Sequence, residues 1–266
     1  MVPISVVIIT KNEAEVIASC INAAKLITDD IIVVDNDSTD GTREIASRNG
    51  CNVYHENWDG YGANKNKGIA HARYNWILSI DADEVPDEEL VQSLHELELN
   101  NPGVAYDIRF KSYFGKKQIH FGSWGRDHHI RLFNRRLVKW SEAAVHETLI
   151  LPSAIIVKKI KGHLHHYSVK DKVEFFDKTI YYAKLSSRKY LASGKKATFT
   201  KLHIAPLFHF LKNYIVFLGF LDGREGWEIA RMISKHTWLK YRFLKNQPKR
   251  RYKEATGIKE SIMVEY

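Results

Sequence analysis

The sequence predicts an α/β fold: a mostly parallel sheet flanked by helices and followed by a helical C-terminal extension. Three observations carry that expectation. Short β-branched runs alternate with helical patterns over the first hundred residues, the signature of βαβ units. Two of those runs, Ile31 to Val34 and Trp76 to Ile80, lead straight into an aspartate, Asp35 and Asp81. Beyond His166 the apolar spacing becomes helical throughout.

Ile4 to Ile9 reads as the first strand, and Glu13 to Leu26 as a helix with Val16, Ile17, Cys20, Ile21 and Ala24 on one face. Ile31 to Val34 is the second strand, after which Ser38, Thr39 and Asp40 offer an N-cap to a helix carrying Ile45 and Ala46. A strand around Val53, a glycine-bearing loop from Trp58 to Gly62 and a helix through Ile69 and Ala72 lead to the strand ending on Asp81. Pro86 with Asp87, Glu88 and Glu89 starts another helix, its acids placed at the positive end of the helix dipole. Because ligands of open α/β sheets bind outside the carboxyl ends of strands, Asp35 and Asp81 are expected to share one crevice.

Strands at Tyr106 to Phe110, Ile130 to Phe133 and Ile155 to Ile160 form a mixed segment, expected as an insertion over the mouth of that crevice. Helices follow at Val173 to Leu191, Leu202 to Leu221 and Trp227 to Leu244. The expected domain organisation is thus one α/β domain over residues 1–168, with a helical, basic extension over 169–266 packed on it. Leu207 to Leu221 is too short for a bilayer crossing and is interrupted by Lys212 and Asn213; it reads either as a core helix or as an interfacial one.

The 266 residues, 44% of them hydrophobic, suffice for a core. Cys20 and Cys51 are too few for a disulfide framework, and the first apolar run has no basic leader, so a cytoplasmic, reducing location is expected. The net charge of +9 implies an anionic partner. Between Lys235 and Lys253 lie Lys240, Arg242, Lys245, Lys249, Arg250 and Arg251 with no acid, so contact with the cytoplasmic face of an anionic inner membrane is expected there.

Asp81-Ala82-Asp83 places two carboxylates one residue apart at the end of a buried strand. They can converge on Mg²⁺ or Mn²⁺, hard cations suited to a diphosphate, although the same triplet alone is a common solvated turn. The order SVVIITKNE, IIVVDNDSTDGT, GYGANKNKG, WILSIDADE and RDHHIRLFNR resembles the inverting glycosyltransferase family 2, and AVHETL, GHLHHYS and GFLDGREG resemble its bacterial lipopolysaccharide-core members, the inner-core beta-glucosyltransferase group.

That resemblance implies the GT-A fold, with its Rossmann-like sheet, and a metal-dependent, inverting hexosyltransferase that uses a UDP-sugar, UDP-glucose above all, and a glycan or lipid-linked acceptor. It places Thr10, Asn12 and Glu13 under the nucleoside and Asp35 and Asn36 at the base-binding turn. Asn36 stands where the family carries an acid, and its amide presents both a donor and an acceptor to a base. Lys65 and Asn66 fall between nucleoside and metal, where Lys65 reads equally as a solvated helix lysine. Asp83 is implied as the metal ligand, with Asp81 as its partner or at the ribose and His146 or His166 as a late ligand.

Asp127 is the implied base, open to the alternative of pairing with Arg126 or Arg131, and Glu147 is in reserve. His128, His129, His163 and His165 are unassigned. Trp124, Tyr113, Phe114 and Phe121 suit either stacking on a sugar or packing. A sugar-1-phosphate nucleotidyltransferase would carry a glycine-rich loop where Thr10-Lys11-Asn12-Glu13 stands. A non-enzymatic binder of membrane or nucleic acid would act through the basic C-terminus, but no nucleic-acid motif is present.

Overall fold

The computed structural model describes residues 2–141 and 147–246, and the chain divides into two compact units, Met1–Asp171 and Lys172–Tyr266. In the first, β1 (Ile4–Thr10), α1 (Ile17–Lys25), β2 (Ile31–Asp35), α2 (Thr42–Arg48), β3 (Asn52–His55), α3 (Tyr61–Ala70) and β4 (Trp76–Asp81) follow the βαβ alternation. Then come β5 (Glu84–Pro86), α4 (Glu88–His95), β6 (Val104–Phe114), β7 (Lys117–Gln118), β8 (His128–Asn134), β9 (Lys139–Trp140), β10 (Leu149–Ile150) and β11 (Ile156–Val169).

The nine-stranded sheet runs β3-β2-β1-β4-β8-β6-β11-β5, with β7 paired to β6. From β3 to β4 all pairs are parallel, and the apolar runs of β2, β1 and β4 are buried on both faces, as a sheet covered by helices requires, while β3 at the edge is half-exposed. Register aligns Thr10 with Asp35 and Ile9 with Asp81, so both aspartates reach the same carboxyl edge on either side of β1. One core layer packs Ile17, Ile21, Leu90 and Leu94 on one face, and a second packs Ile69, Phe133 and Trp140 on the other.

Several sequence expectations change. The mixed segment is no separate insertion: β6, β8 and β11 extend the main sheet, β8 antiparallel to both β4 and β6, and β6 parallel to β11. The first helix starts at Ile17, not Glu13, because side chains of the second turn hold the preceding backbone: Asn12, Glu13 and Ala14 N–H donate to Ser38 Oγ, Thr42 Oγ1 and Asp40 Oδ2 at 2.9, 2.9 and 3.0 Å. Ser38 and Thr39 therefore do not cap α2; Gly41 at φ 90° occupies its N-cap position, and of the three expected residues only Asp40 serves the helix, accepting from Thr42 N–H at 3.1 Å. Pro86 ends β5, and Asp87 caps α4 by accepting from Leu90 N–H at 2.9 Å.

In the second unit, α5 (Lys172–Ala192) and α7 (Gly223–Asn246) frame an irregular segment. The expected continuous helix from Leu202 to Leu221 is broken into a π-turn at Thr200–Ile204, α6 (Ala205–Leu211), another π-turn at Lys212–Val216 and a 3₁₀ turn at Gly219–Asp222. Leu218 at φ 59° and Gly223 at φ 65° turn the chain. Lys172 and Arg231 both pair with the buried Glu228, Arg231 Nη2 at 2.6 Å. Lys249, Arg250, Arg251 and Lys253 of the expected basic surface lie outside the described residues.

Candidate functional site

The carboxyl edge of β1, β2 and β4 gathers the polar residues. At its β2 side Asp35 is fully buried; its Oδ2 accepts from Ser38 N–H at 3.1 Å and meets Arg43 Nη2 at 3.3 Å. Its Oδ1, like the Oγ1 of its register partner Thr10, is buried without a protein partner. Two adjacent orphaned polar atoms are costly unless a ligand satisfies them.

Asn12, at φ 57°, accepts from Thr39 N–H at 2.8 Å, so with Glu13 it ties the exit of β1 to the second turn. Asn36 was expected to face a base with donor and acceptor. It is buried, and its amide donates to the Glu56 carbonyl at 2.9 Å, which holds the turn.

Lys65 is 1% exposed, which overturns the solvated-lysine alternative. From α3 its Nζ lies 3.2 Å from Asp81 Oδ1, 2.9 Å from Glu147 Oε1 and 4.5 Å from the Trp140 ring centre. Its neighbour Asn66 uses both ends of its amide on the Trp140 backbone, donating at 2.9 Å and accepting at 3.1 Å, so it clamps β9 instead of facing a ligand.

Arg131, buried on β8, pairs with Glu84 and reaches Asp81 Oδ2 at 3.4 Å. Burial pushes the pKa of Asp81 up, but Lys65 and then Arg131 outweigh it and hold the carboxyl at about 2. Burial pushes Glu84 upward, Asp81 and Asp83 add to it, and Arg131 opposes. Sequence reasoning passed over Arg131 and Trp140 as members of this network. The one available signal was an arginine on a strand otherwise built from core residues.

Asp83 and His166 meet across the junction of β5 and β11: His166 pairs with Glu84 in the sheet register, and its Nε2 lies 3.4 Å from Asp83 Oδ2. Burial opposes protonation of His166, yet Asp83, followed by Glu84 and Asp81, raises its pKa to about 9. The local field thus attracts positive charge. His166 Nδ1 is buried without a protein partner. The Asp83 carboxylate beside the His166 imidazole is a donor pair that would hold Mn²⁺ in place of the His166 proton. His146 lies outside the described residues.

A second group, Asp87, Glu89 and His163, has metal-ligand spacing, but Asp87 already caps α4 and pairs with Lys111 at 3.2 Å.

Asp127 ends the short turn Trp124–Arg126 at the start of β8. Among the described residues its ion-pair partner is His129, with Nε2 3.0 Å from Oδ1. Burial raises its pKa, but His129, then His166 and Arg131, bring it below the ordinary carboxylate value. The rings of His129 and His166 pack edge-on to Phe110 at 5.3 and 5.7 Å, so the Asp127 and Asp83 pairs share one aromatic spacer. Glu147 is engaged by Lys65. Of the expected stacking rings, Tyr113 lies on Tyr167 at 5.0 Å and the buried Phe114 sits near Trp124 at 6.5 Å.

Comparison with known proteins follows the same residues. Residues 5–156 match the family model described as glycosyl transferase family 2. An uncharacterized glycosyltransferase of Rickettsia typhi is 30% identical over 238 residues, covering 85% of this chain and 81% of its own. The lipopolysaccharide core biosynthesis glycosyltransferase LpsC of Rhizobium meliloti is 26% identical over 253 residues, covering 91% of this chain and 90% of its own. Among solved structures, glucosyl-3-phosphoglycerate synthase from Mycobacterium tuberculosis, in complex with Mn²⁺, UDP and glucosyl-3-phosphoglycerate, is 26% identical over 42% of this chain and 45% of its own, with a TM-score of 0.35.

Proposed function

The chain belongs to glycosyl transferase family 2, and from that premise we propose that it moves a hexose from UDP-glucose, with inversion, to a glycan or lipid-linked acceptor of the bacterial envelope, the lipopolysaccharide core. The observation that carries the proposal is the row of Thr10, Asp35, Asp81 and Asp83 along one sheet edge, with orphaned polar atoms at one end and the Asp83–His166 pair at the other. The likeness to the lipopolysaccharide-core enzyme over nearly the whole chain supports the acceptor class.

In this reading Asp35 Oδ1 accepts an N–H or O–H of the nucleoside, and Thr10 Oγ1 supplies the adjoining hydroxyl. Asp83 and His166 would hold Mn²⁺ or Mg²⁺, whose charge stabilises the departing diphosphate. Lys65 and Arg131 fix Asp81 in its ionised form beside that position. Asp127 takes the proton from the acceptor hydroxyl as it attacks the anomeric carbon opposite the leaving group, and His129 orients the carboxylate and stabilises it as an anion.

The test is a panel of UDP- and GDP-sugars with Mn²⁺, read by thermal stabilisation and by transfer. UDP-glucose at about 100 times its Kd is expected to add roughly 2.7 kcal/mol to stability. Asp83→Ala is expected to remove the metal-dependent part of that gain and to lower transfer about 10²- to 10³-fold. Absence of stabilisation by every nucleotide sugar, or an Asp83→Ala protein that behaves as wild type, overturns the reading.

A further inference from the structure

The second unit is inverted in polarity around α6. Asn213, Asp222 and Glu228 are buried, Asp222 to 3% exposure, whereas Phe199, Phe208 and Val216 stand 74%, 59% and 66% exposed, with Leu207, Ile215 and Leu221 more than half exposed beside them. A contiguous run of large apolar side chains left in water while polar ones are folded inside marks a surface meant for another apolar phase.

The surface is also rigid. A Cβ on Gly226 would sit 1.8 Å from the Gly219 carbonyl oxygen, and one on Gly219 would sit 2.7 Å from the Asn213 carbonyl oxygen, so the two arms of the bend touch backbone to backbone. Beside the exposed residues, Phe210 and Tyr214, half-buried and stacked on each other, both meet the Trp227 ring edge-on at 5.1 and 5.3 Å, and Trp227 is itself partly exposed. The two helical stretches Thr200–Val216 and Gly219–Asn246 meet at 71°, and among the described residues no single helix is long and apolar enough to cross a membrane. A bent, prepacked element of this kind inserts from one side.

Charge identifies what it inserts into. From Ser193 to Leu221 there is no acidic residue, while Lys195, Lys196, Lys201 and Lys212 border the apolar side chains. We propose that residues 199–221 form a fixed apolar wedge that seats one-sidedly in an anionic lipid surface, with these lysines on the headgroups. A second copy of the chain fits worse: an isologous contact would bring the same lysines together, and the segment has no carboxylate to pair them. The inference is independent of the donor or acceptor chemistry, since binding is measured with neither present.

The experiment is flotation of the full chain with phosphatidylcholine vesicles, with and without phosphatidylglycerol. The wild type is expected to float with the anionic vesicles and to remain below with the neutral ones. Phe199→Ser/Phe208→Ser/Val216→Ser removes only exposed side chains; it is expected to keep the wild-type unfolding midpoint and to lose at least about 100-fold in vesicle affinity. Lys196→Glu and Lys212→Glu are each expected to lose about fivefold or more, with the loss shrinking as salt is added. Absence of flotation, equal flotation with neutral vesicles, or undiminished flotation of the triple variant overturns the proposal. So does a stable wild-type dimer that the triple variant dissociates, which would assign the face to a second copy.

Discussion

The two units break the apolar-inside rule in opposite directions. The first buries charge: Lys65, Arg131, Asp35 and Glu84 are enclosed at the carboxyl edge of the sheet. The second exposes Phe199, Phe208 and Val216 while enclosing Asp222. Each violation is costly in isolation and is maintained by a local device, ion pairing in one case and backbone-to-backbone packing of glycines in the other. The difference teaches what each surface answers to: enclosed charge to an ionic ligand, displayed hydrocarbon to an apolar phase.

The sharpest way to break the comparison is to remove one buried charge and leave its partners. Lys65→Met leaves Asp81 and Glu147 without their shared cation, and it is expected to cost about 3 kcal/mol in urea unfolding as well as most of the transfer activity. If the variant is as stable as wild type, ion pairing is not what maintains the enclosed charge. Gly226→Ala tests the other device. Its methyl would collide with the Gly219 carbonyl, and the expected loss is about 2 kcal/mol despite the better helix propensity of alanine. Because the collision opens the bend, vesicle flotation should fall with it while nucleotide-sugar stabilisation is retained.

The smallest expected effect belongs to Glu228, the one carboxylate enclosed in α7 by Lys172 and Arg231. Lys172, then Arg231 against the effect of burial, lowers its pKa below the ordinary value. A lowered folded pKa contributes stability that is complete above the unfolded value of about 4.3 and is lost as pH falls through the folded value. Glu228→Gln should therefore cost about 1 kcal/mol at neutral pH and almost nothing below the folded pKa, with the stability difference between the variants closing over that window. A difference that is constant with pH would show that the carboxylate's charge is not involved.

Much of the first unit was legible because its signals are local. β-Branched runs mark β1 and β2 and a short apolar run marks β4, and the positions of Asp35 and Asp81 at the ends of β2 and β4 follow from chain order alone. Asn36 and Asn66 were less legible for the opposite reason: an amide serves a ligand or a neighbouring backbone equally well, and only the fold shows that Asn36 gives its N–H to the Glu56 carbonyl and that Asn66 spends both ends on the Trp140 backbone. The N-cap at Ser38 and Thr39 failed likewise, since the Ser38 hydroxyl accepts from Asn12 N–H and the Thr39 N–H donates to the Asn12 side chain, which ties both to the exit of β1.

What the sequence by itself determined is the βαβ order from β1 to β4, the family, and the carboxylates at the carboxyl edge, all written in short-range periodicity and motif. Tertiary structure alone decided that β6, β8 and β11 extend the sheet, that Arg131 reaches Glu84, that Lys65 meets Glu147 across 82 residues, and that Asp83 lies beside His166. It also decided which way the apolar side chains of residues 199–221 face. Periodicity tells a helix that it has a stripe, but whether core or another phase covers that stripe depends on what the rest of the chain brings against it, and contacts between distant segments leave no mark in the spacing of either one.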